Sequence, residues 1–230
     1  MKMTKGMLIS CVLLTMQVST AGATTYSGIV AFGDSLTDTG NFYALTGNQV
    51  PASPPYYNGR FSNGPLWIDQ LAKWLGLPTP VASSQRGQDY AYADAETGLG
   101  FGPTAIPGLT VPNIGTQINS YLSDNTPDSS QLFVVWGGAN DFFYGQTDPN
   151  VPVSNLKDDI TTLANAGAKE FLVGNLPLLG ETPLFRGTPL RMPLDYLTLA
   201  FNSLLNTTLD QLETDLGINI HRLDIYTLYL

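Results

Sequence analysis

Two short polar blocks in the sequence carry side chains that could take part in acyl transfer. The first places Ser35 directly after the apolar run 28–32, and the second, residues 137–141, places Asn140 directly after the apolar run 132–136. In open α/β sheets, ligands bind outside the carboxyl ends of the strands, so both side chains stand where a reacting group is expected. A serine hydroxyl is a nucleophile once a base takes its proton, and an amide N–H can stabilise a developing oxyanion.

Each block also has a purely structural interpretation. A serine in a strand-Gly-Asp-Ser turn can cap a helix, and an asparagine can hold a turn through hydrogen bonds between its side chain and the backbone. These two blocks alone therefore leave both interpretations open for Ser35 and for Asn140.

Several blocks, in the same order along the chain, resemble the GDSL (SGNH) family of serine ester hydrolases, and its bacterial secreted members in particular. They are GDSLTDTGN at 33–41, RFSNGP at 60–65, GAND at 138–141 and the segment 219–226. The resemblance extends from about residue 29 to the end of the chain. It implies an α/β fold of the flavodoxin-like, three-layer α/β/α type and hydrolysis of ester bonds. It also implies that Ser35 is the nucleophile, and that the backbone N–H of Ser35 and the amide of Asn140 form part of the oxyanion hole.

The sequence departs from this family at Asp94. Members usually have Gly-Gly where this chain has Ala93-Asp94, and the second glycine donates its backbone N–H to the oxyanion hole, so the resemblance implies that role for Asp94. Its carboxylate could repel an oxyanion, and a left-handed backbone would suit it less well than glycine. A misplaced donor would lower turnover on the order of 10²- to 10³-fold.

A second departure concerns the catalytic base. The family carries an Asp-x-x-His block near its C-terminus, whereas this sequence ends at Leu230 without one, and its single histidine is His221. Asp224 follows three residues later, and positions three apart on a strand point to opposite faces. We therefore predict that His221 is a strand residue and not the base.

We accordingly expect the domain to be incomplete at its C-terminus and the chain to be a weak or inactive esterase. The apolar residues 228–230, which no covering helix follows, favour the same expectation. Two alternatives stay open: a non-catalytic secreted module that binds an ester or a glycan, and a fragment produced by a frameshift or an early stop.

The elements that position these blocks alternate between short apolar runs and amphipathic segments, which is typical of a parallel sheet covered by helices on both faces. We predict five parallel strands, at 28–32, 89–92, 132–136, 170–174 and 218–224. Their spacing and end signals predict helices over 65–75, 114–122, 155–166 and from about 193 to 216. Segments 45–59 and 98–112 are rich in Gly, Pro and aromatic residues, so we predict long surface loops that border a binding site.

The N-terminus predicts export. Lys2 and Lys5 precede the apolar run 7–18 and then Ala21-Gly22-Ala23, so we expect a signal peptide over residues 1–23 that is cleaved after Ala23. The domain would then cover 24–230, in a secreted or periplasmic protein. A lipoprotein signal at Cys11 is disfavoured because the apolar run continues past that residue.

Composition narrows the possible partners. Nineteen acidic and ten basic residues give a net charge of −9, which argues against nucleic acid and anionic membrane surfaces as partners. Cys11 is the only cysteine, no clustered metal-ligand spacing occurs, and neither a dinucleotide nor a phosphate-binding fingerprint is present. We therefore expect no cofactor, no metal and no transmembrane segment, and a small-molecule, lipid or acylated glycan ester as substrate. The sequence leaves the particular ester and the oligomeric state open.

Overall fold

A parallel sheet of four strands forms the centre of the protein in the computed structural model, which describes residues 26–229. The predicted signal peptide, residues 1–23, lies outside the described residues. The strands in chain order are β1 (Ile29–Gly33), β2 (Phe101–Pro103), β3 (Thr110–Pro112), β4 (Leu132–Trp136), β5 (Glu170–Gly174) and β6 (Asn219–Leu223). The sheet has the order β1-β4-β5-β6, and β2 and β3 form a separate antiparallel pair.

Seven α-helices surround the sheet within the described residues. They are α1 (Asn41–Leu45), α2 (Trp67–Trp74), α3 (Ile114–Asp124), α4 (Ala139–Phe143), α5 (Asn150–Ala166), α6 (Arg191–Leu216) and α7 (Ile225–Leu228). Strands β1 and β4 are buried along their whole length, which explains why they read as continuous apolar runs and not as alternating ones. Helices α3, α5 and α6 pack on one face of the sheet with Val30 and Phe32, while α2 packs on the other with Ile29 and Ala31.

The prediction of an α/β/α fold is confirmed, but the prediction of five strands is wrong by one. Residues 89–92 run beside β1 and exchange backbone hydrogen bonds with it: Ala31 N donates to Gln88 O (2.9 Å) and Tyr90 N donates to Ala31 O (2.8 Å). They do not form a regular strand, and only an isolated parallel bridge joins Ala31 to Asp89. The physical reason is that a buried side chain takes one of the ladder groups of β1: Tyr92 N still donates to Gly33 O at 3.1 Å, but the N–H of Gly33 donates to Gln117 Oε1 at 3.0 Å and not to this segment.

Two further elements differ from the expectations. The predicted loop 98–112 contains the β2–β3 hairpin, and the helix predicted over 155–166 begins five residues earlier, at Asn150. Pro152 lies in its first turn, where the missing N–H of proline leaves no intrahelical bond unmade. Among residues 26–229, none of the helices combines the length and the hydropathy needed to cross a bilayer.

Candidate active site

The sheet topology brings the two polar blocks to one edge. Strands β1 and β4 are parallel neighbours, with Gly33 opposite Trp136 at their carboxyl ends. Segment 89–92 lies on the other side of β1, so the chain connections diverge between β1 and β4. This divergence is the switch point at which open α/β sheets form a ligand crevice.

Ser35 and Asn140 line the same cavity at this point, which has a volume of about 210 Å³. Ser35 is half-buried in the turn after β1, and Asn140 is buried in the first turn of α4. The other lining residues are Asp34, Leu36, Trp136, Ala139, Phe143, Leu176, Pro177, Leu179 and Thr182. A hydroxyl and an amide can therefore face one small ligand here.

A larger, mostly apolar groove of about 570 Å³ adjoins this cavity. The two share Leu36, Pro177 and Thr182, and the rest of the groove is lined by Leu178, Glu181, Pro183, Tyr226 and Tyr229. Leu36 follows the candidate nucleophile and is 44% exposed at this junction. The groove thus gives a ligand at Ser35 room to extend.

Among residues 26–229, the amide of Asn140 has one N–H committed to a partner and one that can meet a ligand. Its Nδ2 donates to the carbonyl oxygen of Ala95 at 2.9 Å, and an amide nitrogen carries two N–H groups. Gly138 precedes α4 with a φ of 113°, and a Cβ at this position would lie 2.9 Å from the ring of Phe201. Glycine is therefore required for the tight approach that places Asn140 at the cavity.

Asp94 has a left-handed backbone with a φ of 67°, the region that glycine favours. It is not among the residues that line the cavity. Its Oδ2 accepts a hydrogen bond from Ala105 N at 2.9 Å, so the carboxylate is directed to the loop between β2 and β3. Burial, then the charges of Asp94 and Glu96, raise the pKa of the Tyr144 hydroxyl to about 12.

Asp34 is the buried acid beside Ser35, and the sequence analysis assigned it no role. Burial raises the pKa of its carboxyl to about 7, against the opposing hydrogen bond from Leu36 N at 3.0 Å. Asp141, Asp94 and Asp38 raise the pKa further through like charge. The charge next to Ser35 therefore changes across neutral pH.

Gln117 is a second site-supporting residue that sequence reasoning missed. Its side chain is buried and bonds both backbone groups of Gly33, with Oε1 accepting from the N–H and Nε2 donating to the carbonyl, each at 3.0 Å. It fixes the end of β1 from α3. The only signal for this contact is a polar residue within an apolar helix stripe, which one sequence cannot distinguish from an exposed glutamine.

The structure does not bring His221 to this site. Its side chain is 50% exposed on β6, the strand at the far edge of the sheet from β1. Nε2 lies 2.9 Å from the hydroxyl of Tyr26 and 3.4 Å from Oε2 of Glu170. Asp224 instead caps α7 by accepting from Thr227 N. Within residues 26–229, no group of three or more His, Cys, Asp and Glu side chains could hold a metal ion.

The fold and the crevice define an α/β protein of the SGNH hydrolase type. The chain matches the family described as GDSL-like Lipase/Acylhydrolase over residues 29–229 and belongs to it, which confirms the resemblance given by the sequence blocks. Two solved structures support the fold. A carbohydrate acetylesterase from Sinorhizobium meliloti has a TM-score of 0.52 at 17% identity and covers 85% of this chain and 83% of its own. A family two carbohydrate esterase from Clostridium thermocellum has a TM-score of 0.52 at 15% identity and covers 86% and 53%.

Curated relatives include a phosphatidylcholine-sterol acyltransferase from Aeromonas hydrophila, 32% identical over 94% of this chain and 64% of that protein. A thermolabile hemolysin from Vibrio parahaemolyticus is 32% identical over 69% of this chain and 35% of its own length. A protein from Arabidopsis thaliana that is 31% identical over 69% of this chain and 48% of its own is named an inactive GDSL esterase/lipase-like protein. The chain thus spans less than two thirds of each of these relatives.

Proposed function

We propose that this protein is a carboxylic ester hydrolase in which Ser35 attacks the ester carbonyl. The observation that carries the proposal is the cavity of about 210 Å³ that Ser35 and Asn140 line together at the switch point of the sheet. The matched family, GDSL-like Lipase/Acylhydrolase, supports the same reaction class.

In the proposed reaction, Ser35 Oγ loses its proton to a base and forms a bond to the carbonyl carbon. The oxyanion accepts hydrogen bonds from the free amide N–H of Asn140 and from the backbone N–H groups of Ser35 and Asp94. The carbon–oxygen bond to the alcohol then breaks, and the alcohol leaves with a proton. Water attacks the acyl-enzyme in the same way, so that the acid is released and Ser35 is restored.

The proposed mechanism needs a base that takes the proton of Ser35, and no histidine among residues 26–229 lines the cavity. The only histidine of the sequence is His221, which bonds Tyr26 and Glu170 and does not line the cavity. A serine without a positioned base keeps only the rate acceleration of the oxyanion hole and of substrate binding. We therefore propose that turnover by this chain is low. The substrate would be a small-molecule, lipid or acylated glycan ester whose acyl or alcohol part extends into the groove beside Leu36.

A supplied base provides the test. The purified protein is assayed on p-nitrophenyl butyrate at pH 8 with and without imidazole, beside Ser35→Ala as the matched control for hydrolysis by imidazole alone. We expect imidazole to raise the turnover of the wild-type protein well above that of Ser35→Ala, because the groove next to Ser35 admits a small base. Equal rates for the two proteins at every imidazole concentration would refute the proposed nucleophile.

A non-catalytic binding module is the second candidate function. It is favoured by a cavity lining that does not include His221 and by the relative that is named inactive. This function predicts saturable binding of p-nitrophenyl butyrate that survives Ser35→Ala, together with no covalent labelling of Ser35 by a fluorophosphonate in the presence of imidazole. Labelling of Ser35 would contradict it.

A further inference from the structure

The carboxylate of Asp38 accepts hydrogen bonds from four backbone N–H groups while its side chain is fully buried. Oδ1 accepts from Gly40 (2.8 Å) and Asn41 (2.6 Å), and Oδ2 accepts from Phe42 and Ala93 (3.0 Å each). Three of these donors are local and start α1. The fourth lies 55 residues away in the chain and directly precedes Asp94, the residue whose N–H completes the proposed oxyanion hole.

Two further buried side chains join the same two segments. Asp89 Oδ2 accepts from Thr39 N at 2.7 Å, and Asn41 Nδ2 donates to the carbonyls of Asp89 and Ala91 at 2.8 and 2.9 Å. Neither Asn41 nor Asp89 is exposed to solvent. Together with the backbone bond from Tyr92 N to Gly33 O at 3.1 Å, these side chains connect the turn that carries Ser35 to the segment that leads to Asp94.

The segment after Asp94 is attached to the other polar block. Asn140 Nδ2 donates to Ala95 O at 2.9 Å, and Asp141 accepts from the N–H and the hydroxyl of Thr97 at 3.1 and 2.6 Å. Asp94 is thus held between two attached neighbours, Ala93 on the side of Ser35 and Ala95 on the side of Asn140. Only the first attachment depends on Asp38.

We propose that Asp38 is a positioning residue that fixes the backbone N–H of Asp94 relative to Ser35 through its bond to Ala93. This inference rests on the proposed function. An oxyanion donor must lie within about 2.7–3.1 Å of the oxygen that it stabilises, so a small displacement of this N–H removes it from the reaction. A backbone at φ 67° is disfavoured for a residue with a side chain, and therefore needs such external restraint.

Asp38→Asn is the perturbation with the least change in shape. An amide keeps one acceptor oxygen and replaces the other by an N–H₂ group that faces backbone donors. The matched control is Asp159→Asn, because Asp159 is also a buried carboxylate, and its Oδ2 has no hydrogen-bond partner among residues 26–229. Measurements at pH 8 keep Asp38 ionised, since burial raises its pKa only to about 6 against its four N–H donors.

The experiment measures two quantities in each protein. One is the rate of Ser35 labelling by a fluorophosphonate with imidazole present, resolved into probe affinity and limiting rate. The other is hydrogen exchange at the amides of Ala93 and Asp94. We expect Asp38→Asn to lower the limiting rate on the order of 10²- to 10³-fold, with probe affinity little changed. It should also speed exchange at Ala93, whereas Asp159→Asn should leave both quantities near their wild-type values.

The positioning role would be overturned if Asp38→Asn kept the wild-type limiting rate, or if it lost probe affinity and nothing else. It would also be overturned if Asp159→Asn lost as much of the limiting rate as Asp38→Asn. Should wild-type Ser35 fail to label at all, the proposed function fails, and exchange at Ala93 still decides whether Asp38 holds the segment. Should Asp38→Asn fail to fold, exchange in the wild-type protein decides. In the wild-type protein, the amide of Ala93 must exchange more slowly than the amide of exposed Leu99. Equal exchange rates at these two amides would reject the proposal.

Discussion

Replacing Asp94 by glycine and by alanine separates the cost of its backbone conformation from the benefit of its side chain. A left-handed φ destabilises the folded state by about 1–2 kcal/mol for a residue with a side chain. Glycine avoids this cost, but the greater entropy that it gives the unfolded chain destabilises the folded state by about 0.5–1 kcal/mol. The bond from Ala105 N to the Asp94 carboxylate is exposed to solvent and contributes about 0.5–1 kcal/mol. Asp94→Gly loses the bond but relieves the backbone, so its free energy of unfolding should stay within about 1 kcal/mol of the wild-type value.

Asp94→Ala loses the same bond and keeps the strained backbone at φ 67°. It should therefore be less stable than Asp94→Gly by about 1 kcal/mol, or about 2–4 °C in Tm for a domain of this size. Asp94→Asn is the control, because it retains an acceptor oxygen for Ala105 N and tolerates the left-handed region. Urea and thermal unfolding followed by circular dichroism measure these differences.

The same variants test the position of the donor. All three keep the backbone N–H of residue 94, and Asp94→Gly also restores the residue type usual in the family. With imidazole as the base, we expect Asp94→Gly to hydrolyse p-nitrophenyl butyrate at least as fast as the wild-type protein. The reasoning is refuted if Asp94→Ala matches Asp94→Gly in stability, since the positive φ would then impose no cost.

Two further predictions concern stability. Burial raises the carboxyl pKa in the folded protein to about 7 for Asp34 and to about 8 for Asp89. Both values lie above the value of about 4 in the unfolded chain, so the folded state binds more protons. The stability that these protons supply at low pH is therefore lost as the pH rises through about 7 and 8. Tm should therefore fall between pH 5.5 and pH 8.5, and less steeply in Asp89→Asn; a Tm that rises over this range contradicts the argument. Gly138→Ala should lower the free energy of unfolding by about 2–4 kcal/mol, because its Cβ meets the Phe201 ring at a φ of 113°. Gly145→Ala, with a φ of 103° and open space around the Cβ, isolates the backbone part, and equal losses in urea unfolding would show that the ring contact contributes nothing.

The strands with continuous apolar runs could be predicted from the sequence because burial on both faces leaves a simple pattern. Strands β4 and β5 have the predicted bounds, and α3 and α6 begin at or within two residues of the predicted positions. The segment 89–92 could not be predicted correctly. Its composition suits a strand, but the outcome depends on Gln117, which takes the N–H of Gly33 at the end of β1 from 84 residues away in the chain.

The candidate site was predictable in part for the same reason. Ser35 and Asn140 each follow a continuously buried apolar run, so their meeting at the carboxyl edge follows from a parallel sheet in which β1 and β4 are neighbours. The ties from Asp38 to Ala93 and from Gln117 to Gly33 were not predictable, because each links positions more than 50 residues apart through a buried polar side chain. Local sequence patterns contain no information on such pairs.

The irregular edge beside β1 also affects how the protein loses its structure. The central strands are held by a continuous ladder and two apolar faces, whereas residues 89–97 are anchored by two backbone bonds to β1 and a few side-chain contacts. Regions with few ladder bonds open at a lower free energy than the core of a sheet. Residues 89–97 can therefore unfold locally while β4, β5 and β6 remain paired. The crevice is then lost at a lower temperature or denaturant concentration than the fold.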